Sequence, residues 1–205
     1  MTQEILKTGT TTVAIKCKDG IVLAADKRAT AGNIIASSNI LKTYPITDKI
    51  GMTVAGSVSD VQLITKYIKA QLKLKKLQTR RDISVKEAVN LLSGIVYSNI
   101  RSMSTMPGIT HFLIGGKDKE GFHIYDLYPD GSIGEEEKFI SSGSGSPMVY
   151  GVLETNYKKE IKIKDAKELV IKAIKAAMKR DSASGDGIDI LTITDSEIKT
   201  EAISI

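Results

Sequence analysis

The amino-acid sequence predicts an α+β fold, a four-layer αββα sandwich in which two antiparallel sheets are flanked by helices. Segments with strand character and segments with helical spacing follow one another in blocks of strands, helices, strands, helices and strands. A parallel βαβ fold would instead alternate regularly between single strands and helices. The chain also opens with two β-branched runs around Lys18-Asp19-Gly20, and Asp-Gly between such runs is a strong hairpin signal.

Hydrophobic periodicity and turn residues place the individual elements. The opening hairpin joins strands at 11–17 and 21–25, and strand-like sequence returns around 34–40 and 50–55. From Ser57 the apolar residues recur at helical spacing, and a second helix begins at a capping box formed by Ser84 and Glu87. The later part of the chain predicts strands at 110–114, 122–128 and 138–141, helices at 148–157 and 166–179, and strands at 188–194 and 198–205.

Length and composition indicate one globular domain and argue against a nucleic-acid partner. With 205 residues, 41% of them hydrophobic, the chain is long enough to bury a substantial core. The 29 basic and 24 acidic residues give a net charge of +5, which an ordinary surface carries, so no nucleic-acid partner is expected. The most basic stretch, 66–81, interleaves its lysines with four apolar residues: Ile68, Leu72, Leu74 and Leu77. This pattern predicts an amphipathic helix whose lysines form the solvent-exposed side.

The cysteine content and the apolar runs bear on the compartment. A single cysteine, Cys17, excludes an internal disulfide framework and fits a reducing environment. No apolar run reaches the length of a membrane span, and residues 1–9 lack the apolar core of a secretory signal. We therefore expect a cytoplasmic protein with no membrane partner.

The inventory of reactive side chains excludes several classes of enzyme. The two histidines, His111 and His123, fall in predicted strands, and no Gly-x-Ser-x-Gly motif precedes a helix, so a serine hydrolase with a histidine base is not expected. The histidines and the single cysteine lack metal-binding spacing, so no metal is predicted. Without a phosphate loop or a dinucleotide motif, no cofactor is expected either. The run 143–146 has the wrong phase for a nucleophile elbow and by composition suits a loop before a helix.

Thr10 offers a hydroxyl that can be activated without histidine. If the bond between Gly9 and Thr10 were cut, Thr10 would carry a nucleophilic hydroxyl and a free α-amine on one residue. An α-amine has a pKa of about 7.7–8.0, so it can accept a proton near neutral pH. Gly9 lacks a Cβ, which permits unusual dihedral angles and lets the hydroxyl approach the preceding carbonyl. Taken alone, the segment 8–13 also suits the start of an ordinary strand.

Several motifs, correctly ordered along the chain, resemble those of archaeal proteasome β-subunits. They are Thr-Gly-Thr-Thr-Thr-Val at 8–13, Ala-Ala-Asp-Lys-Arg-Ala-Thr at 24–30, Lys42, Gly-Met-Thr-Val-Ala-Gly at 51–56, Ser-Ser-Gly-Ser-Gly-Ser-Pro at 141–147 and Arg-Asp-Ser-Ala-Ser-Gly at 180–185. The similarity runs from the first residues to the last helix. It implies an N-terminal-nucleophile hydrolase fold, with 1–9 as a leader removed by autocatalytic cleavage and 10–205 as a single catalytic domain.

The resemblance implies roles for the residues that match. Thr10 is the nucleophile, and Lys42 lies beside its hydroxyl, where the positive charge favours the alkoxide. Asp26 holds the lysine in place, and the N–H of Gly56 donates to the tetrahedral oxyanion. Taken singly, Asp26 and Lys42 would suit a surface ion pair, and Gly56 would suit a junction between a strand and a helix.

The two later motifs imply further site residues. Ser144, Asp181 and Ser184 match the groups that surround the threonine α-amine and hold it by hydrogen bonds, which tunes its protonation and orientation. The resemblance also implies that the backbone of Thr30 aligns the substrate as an added strand. Ala29 and Val54 would then help line the pocket for the residue before the cut.

The activity implied is that of a threonine-type endopeptidase subunit of the 20S proteasome core particle, acting without a cofactor. By resemblance, β-rings stack between α-rings as an α7β7β7α7 barrel, which excludes folded proteins, and regulatory ATPases feed unfolded polypeptides into its chamber. Ring formation is implied by the resemblance alone.

Other functions stay open at this point. A structural β-subunit would build the ring but remain unprocessed, always or until a different β-subunit joins it; the intact catalytic residues argue only against permanent inactivity. An N-terminal-nucleophile amidase for small molecules fits less well, because the substrate-strand and late-loop motifs are present. For a bacterial ATP-dependent protease subunit with a similar threonine start, a shorter chain is expected.

One residue departs from the family pattern. Asp186 follows Gly185 where many relatives have another small residue. It lies two positions from Ser184, close enough in sequence for its charge to disturb the proton balance of the nucleophile.

Overall fold

The computed structural model describes residues 9–104 and 108–205. Residues 1–8 of the expected leader therefore lie outside the described part. In chain order the elements are β1 (Thr12–Cys17), β2 (Gly20–Asp26), β3 (Ala29–Ala31), β4 (Ile34–Ser37), β5 (Thr43–Pro45), β6 (Ile50–Gly56), α1 (Val58–Thr79), α2 (Val85–Ile100), β7 (Thr110–Asp118), β8 (Gly121–Leu127), β9 (Ile133–Glu136), β10 (Phe139–Ser142), α3 (Ser146–Asn156), α4 (Ile163–Met178), β11 (Ile188–Ile193) and β12 (Ile198–Ile203).

Two five-stranded antiparallel sheets form the centre of the molecule. One sheet has the strand order β10-β1-β2-β11-β12 and the other β5-β6-β7-β8-β9, while β3 and β4 form a separate hairpin. Helices α1 and α2 pack on the sheet that contains β6, and α3 and α4 pack on the sheet that contains β1. The predicted four-layer αββα sandwich is therefore confirmed, as is the opening hairpin, whose strands pair from Thr12 opposite Ala25 to Cys17 opposite Gly20.

Strand β2 shows how the layers are held together. Each of its residues, Gly20–Asp26, is buried. Val22 and Ala24 belong to the apolar cluster under α3 and α4, whereas Ile21 and Leu23 belong to the cluster between the two sheets. Because successive side chains of a strand point to opposite faces, a strand covered on both faces needs a continuous apolar run. The run at 21–25 therefore fits a central strand.

The hairpin and strand β6 bring predicted site residues to one end of the sandwich. Since β1 and β2 are antiparallel, Thr10 just before β1 lies at the same end as Asp26, the last residue of β2. Gly56 is the last residue of β6 in the facing sheet, and it lines the same cleft as Thr10. The strand ends thus place the site between the two sheets.

Helix α1 carries the basic stretch, as predicted, but only part of its apolar set is buried. Ile68 and Leu72 are 0% and 1% exposed, whereas Leu74 and Leu77 are 49% and 67% exposed. The predicted amphipathic helix therefore has a buried apolar inner face, but its outer face carries exposed leucines as well as lysines. None of the helices within residues 9–104 and 108–205 combines the length and apolar character needed to cross a bilayer.

The capping box at the start of α2 gives a test of local stability. Ser84 Oγ accepts from the Glu87 N–H at 3.2 Å, and Glu87 Oε2 accepts from the Ser84 N–H at 3.0 Å. We expect Ser84→Ala to destabilise the fold by about 1 kcal/mol, because it leaves an N-terminal amide of the helix without its acceptor. For a chain of this size, thermal unfolding should show Tm lowered by about 2–4 °C.

Ser98→Ala is the matched control for this substitution. Its hydroxyl donates to the Gly94 carbonyl within the same helix at 2.9 Å and caps no free amide, so its effect should stay within about 0.5 kcal/mol. Equal effects of the two substitutions would show that the capping box does not contribute.

Candidate active site

Thr10 is buried just before β1, and both its hydroxyl and its N–H make hydrogen bonds. Its hydroxyl donates to the carbonyl oxygen of Gly9 at 2.6 Å, and its N–H donates to Ser144 Oγ at 3.3 Å. In this chain the nitrogen of Thr10 is still part of the peptide bond to Gly9, so it is an amide and not an amine. The hydroxyl, however, already lies against the carbonyl group of the preceding residue.

Gly9 fits its position because of a close approach. A Cβ at this residue would lie 1.9 Å from Ala183 Cβ and 2.9 Å from Ser144 Oγ. A side chain of any size would therefore push Gly9 out of the cleft, or displace the 181–187 loop. The close approach gives a steric reason for glycine beside the conformational one inferred from the sequence.

Asp26 is the most heavily hydrogen-bonded group of the site. Its carboxylate is fully buried and accepts four hydrogen bonds. Oδ1 accepts from the Thr11 N–H at 2.9 Å and from Lys42 Nζ at 2.7 Å, and Oδ2 accepts from the N–H groups of Arg28 and Gly185, each at 3.0 Å. These hydrogen bonds join the end of β2 to three other segments of the chain, which contain Thr11, Lys42 and Gly185.

Lys42 lies beside Asp26 and is 5% exposed. Burial lowers the pKa of Lys42 because the ammonium loses its hydration, and the charge of Asp26 and its hydrogen bond oppose that effect. Lys42 and Thr10 line the same cleft. In the described part of the chain no hydrogen bond joins them: the Thr10 hydroxyl donates to the Gly9 carbonyl, and Lys42 Nζ donates to Asp26.

The three residues predicted to surround the nitrogen of Thr10 form a connected set of hydrogen bonds. Asp181 Oδ2 accepts from Ser144 Oγ at 2.7 Å and from Ser184 Oγ at 2.6 Å. Because the proton of Ser184 is directed to Asp181, the Thr11 hydroxyl is the donor in its 2.7 Å bond to Ser184. Ser144 alone of the three contacts the Thr10 nitrogen directly, and Asp181 orients both serines.

Gly56 lines the cleft, and the hydrogen bonds of its neighbours indicate the direction of its N–H. Val54 N–H donates to the Lys42 carbonyl on the β5 side, and Ser57 N–H donates to the Ile109 carbonyl on the β7 side. Since amides alternate in direction along an antiparallel strand, the Gly56 N–H faces the β5 side, beyond the first residue of β5. In that position it can donate to an oxyanion formed beside Thr10.

Glycine is required at position 56 for a reason that is independent of this N–H. Its φ is +135°, and a Cβ would lie 2.2 Å from the Ile109 carbonyl oxygen. The backbone turn that ends β6 and starts α1 is therefore open only to glycine.

The cleft contains the three predicted substrate-binding residues. Ala29, Thr30 and Val54 line it together with Thr10 and Lys42. Thr30 Oγ1 also accepts from the Gly9 N–H at 3.5 Å. All the predicted site residues therefore lie in the cleft or within the hydrogen-bonded set around Asp26 and Asp181.

Two residues of the site received no role from the sequence. Thr11 donates its N–H to Asp26 and its hydroxyl to Ser184, so it joins the two hydrogen-bonded sets. Arg28 lines the cleft and donates its N–H to Asp26. Both lie inside the motifs quoted above, but a threonine at a strand start and an arginine beside a lysine are common, so no residue pattern marked them.

The fold and the residues at its open end define a class. Two antiparallel sheets between helices, with a buried threonine at the start of the first strand, make up the N-terminal-nucleophile hydrolase fold. A family model described as "Proteasome subunit" matches residues 6–193. The chain therefore belongs to the proteasome subunit family.

Similar proteins from archaea agree with this family. The chain is 50% identical over 189 residues to a proteasome subunit beta of Ferroglobus placidus, a match that covers 92% of this chain and 88% of that one. It is 45% identical to a proteasome subunit beta of Archaeoglobus fulgidus, covering 96% and 91% of the two chains. A third, from Methanohalophilus mahii, is 47% identical and covers 91% and 87%. The resemblance to archaeal proteasome β-subunits, and with it the predicted place in the core peptidase, is confirmed.

Removal of the Asp26 charge should destabilise the whole fold. In Asp26→Asn the amide offers one oxygen to four donors and leaves the buried Lys42 ammonium without its counter-ion. Breaking a buried ion pair from one side costs about 3–5 kcal/mol, so we expect a loss of that order in the free energy of unfolding. Denaturant unfolding of the purified chain measures it.

Asp82→Asn is the control, because Asp82 pairs with Lys49 at 2.9 Å and with Lys76 at 2.8 Å while all three side chains are about half exposed. Exposed pairs contribute little, so this substitution should change the unfolding free energy far less. A change at Asp26 no larger than that at Asp82 would contradict the central role given to Asp26.

Proposed function

We propose that the chain is a threonine-type endopeptidase whose nucleophile, Thr10, becomes the chain terminus when the bond after Gly9 is cleaved. The observation that carries the proposal is the 2.6 Å hydrogen bond from the Thr10 hydroxyl to the Gly9 carbonyl inside the cleft. It holds the hydroxyl beside the carbonyl that it would attack. Membership of the proteasome family independently favours a peptidase subunit.

The first reaction would remove residues 1–9. Thr10 Oγ1 attacks the carbonyl carbon of Gly9 and gives its proton to a nearby base, while the Gly56 N–H stabilises the oxyanion. The C–N bond breaks as the nitrogen of Thr10 takes up a proton, which leaves an ester between Gly9 and the threonine oxygen. Water then hydrolyses the ester to a Gly9 carboxylate and a Thr10 bearing a free amine. Lys42, buried and with a lowered pKa, is suited to act in the proton transfer.

The second reaction would cut substrates by the same attack. The α-amine of Thr10 accepts the hydroxyl proton as Oγ1 attacks a peptide carbonyl, and the proton passes to the departing amine of the substrate. Water hydrolyses the resulting acyl ester and restores the hydroxyl. Ser144, supported by Asp181 and Ser184, would hold the amine, which the present 3.3 Å bond from the Thr10 N–H to Ser144 supports.

We propose that the chain acts within the proteasome core particle and that this particle is cytoplasmic. There the chain would assemble with α-subunits and other β-subunits in an α7β7β7α7 barrel, and regulatory ATPases would supply unfolded polypeptides. The family and the outer face of α1, which exposes Leu63, Tyr67 and Leu77, support an assembled state. The domain division at 9/10 follows from the proposed cleavage.

Replacement of the nucleophile is the direct test of the proposal. With α-subunits present, we expect the wild-type chain to lose residues 1–9 and to hydrolyse a fluorogenic peptide. Thr10→Ala should do neither, because it has no hydroxyl to attack Gly9. Intact mass and peptide hydrolysis are measured on the same assembled particles.

Thr10→Ser is the matched control, since it keeps a hydroxyl and an α-amine on one residue and should retain processing. Activity in Thr10→Ala would contradict the nucleophile assignment. A wild-type chain that keeps residues 1–9 in every assembly, and cuts no peptide, would instead leave a structural β-subunit.

The cleft predicts which residue precedes the cut. Its lining is largely apolar, with Ile40, Leu41, Val54 and Val61, while its charged groups are cationic: Arg28 and Lys42. A substrate lysine or arginine would lose hydration there and face positive charge. Peptides with an apolar residue before the cut should therefore have the higher kcat/KM. Matched fluorogenic peptides that differ only at this residue measure it, and a preference for arginine would contradict the assignment of the pocket.

A further inference from the structure

Asp186, the residue that departs from the family pattern, is bound by Arg28 in a two-point ion pair. Arg28 Nε donates to Asp186 Oδ2 at 2.8 Å, and Nη2 donates to Oδ1 at 3.1 Å. The side chains are 21% and 23% exposed, so the pair is largely shielded from water. Parallel hydrogen bonds between guanidinium and carboxylate fix both groups in orientation as well as in distance.

The same guanidinium holds the loop at a second point. Arg28 Nη1 donates to the Ser182 carbonyl oxygen at 2.9 Å, four residues before Asp186. Between these two points the guanidinium lies against the loop backbone, since a Cβ at Gly185 would be 2.3 Å from Nη2 and 2.4 Å from Cζ. One side chain therefore fixes both ends of the segment 182–186.

The segment held in this way carries groups of the active site. Ser184 donates to Asp181 and accepts from Thr11, and the Gly185 N–H is one of the four donors to Asp26. The backbone of Lys27 is also bonded to the Gly185 carbonyl at 3.1 Å. A shift of the segment would therefore move Ser184 and change the surroundings of Asp26 together.

Besides holding the loop, the negative charge of Asp186 neutralises Arg28. Arg28 lies within electrostatic range of Asp26, Asp181 and Asp186, and the Arg28 guanidinium lowers the pKa of Asp186 through their hydrogen bonds. With Asp186 as its own counter-ion, Arg28 leaves Asp26 to Lys42 and leaves Asp181 to the two serines. The negative charge of Asp186 is thus balanced by Arg28, which lies just after β2.

We propose that Arg28 and Asp186 form a latch that positions the 181–187 loop, and that Asp186 is a positioning residue for the Thr10 site. This inference rests on the proposed function for its effect on catalysis, but the position of the loop can be tested without it. Asp186 lies at φ +66°, in the left-handed region, which asparagine adopts at least as readily as aspartate. Asp186→Asn therefore removes the charge without a new demand on the backbone.

The experiment compares Asp186→Asn with wild type in particles assembled with α-subunits. Hydrogen–deuterium exchange followed by mass spectrometry should show faster exchange in residues 181–187, with α4 up to position 175 unchanged. Hydrolysis of a fluorogenic peptide should show kcat lower by about tenfold and a smaller change in KM, because the latch positions the groups around Thr10 while Arg28 also lines the cleft.

Glu160→Gln is the control variant. Glu160 also has a positive φ, +61°, and pairs with a cation, Lys18 at 3.9 Å, but it is not among the residues of the site. It should leave both exchange at 181–187 and kcat as in wild type.

The outcomes separate the latch from the proposed activity. Unchanged exchange at 181–187 in Asp186→Asn overturns the latch, whether or not the wild type is active. Faster exchange with an unchanged kcat in an active enzyme overturns the positioning role. If the wild type proves inactive, the proposed endopeptidase is rejected. Faster exchange at 181–187 in Asp186→Asn would still support the latch in that case.

Discussion

The rest of the site depends on the hydrogen bonds that the buried carboxylate of Asp26 accepts. A buried charge without partners would be strongly destabilising, and four donors, including the Lys42 ammonium, make its burial tolerable. Three of the four donors come from other segments of the chain: Thr11 follows the proposed nucleophile, Gly185 lies in the 181–187 loop, and Lys42 lines the cleft. The requirement to satisfy one carboxylate therefore fixes the relative positions of the groups that would do the chemistry.

The layers of the fold were predictable because each has a strong local signal. The hairpin at Lys18-Asp19, the capping box of α2 and the continuous apolar run of β2 are all formed as the sequence indicates. Strand β9, Ile133–Glu136, was not predicted. Its sequence, Ile-Gly-Glu-Glu, has no apolar alternation, and it is an edge strand held by backbone pairing to β8, which leaves no trace in the side chains.

The candidate site was predictable only in part from the residues themselves. Elimination and the chemistry of an N-terminal threonine lead to Thr10, but Asp26, Lys42 and Ser144 were assigned through the family resemblance. Their proximity depends on how two sheets stack, and no local pattern encodes that. Arg28 shows the limit most clearly, because its role comes from Asp186, 158 residues away, and neither residue signals the other.

The sequence separation of the contacts also sets the order in which the site can form. The bond from Thr10 to Ser144 spans 134 residues, that from Gly185 to Asp26 spans 159, and that between Thr11 and Ser184 spans 173. A growing chain that has not yet reached residue 185 has a threonine but no complete surroundings for it. Synthesis from the N-terminus thus delivers the proposed nucleophile first and the groups that contact it last, so the proposed reaction would have to wait until nearly the whole chain has been made.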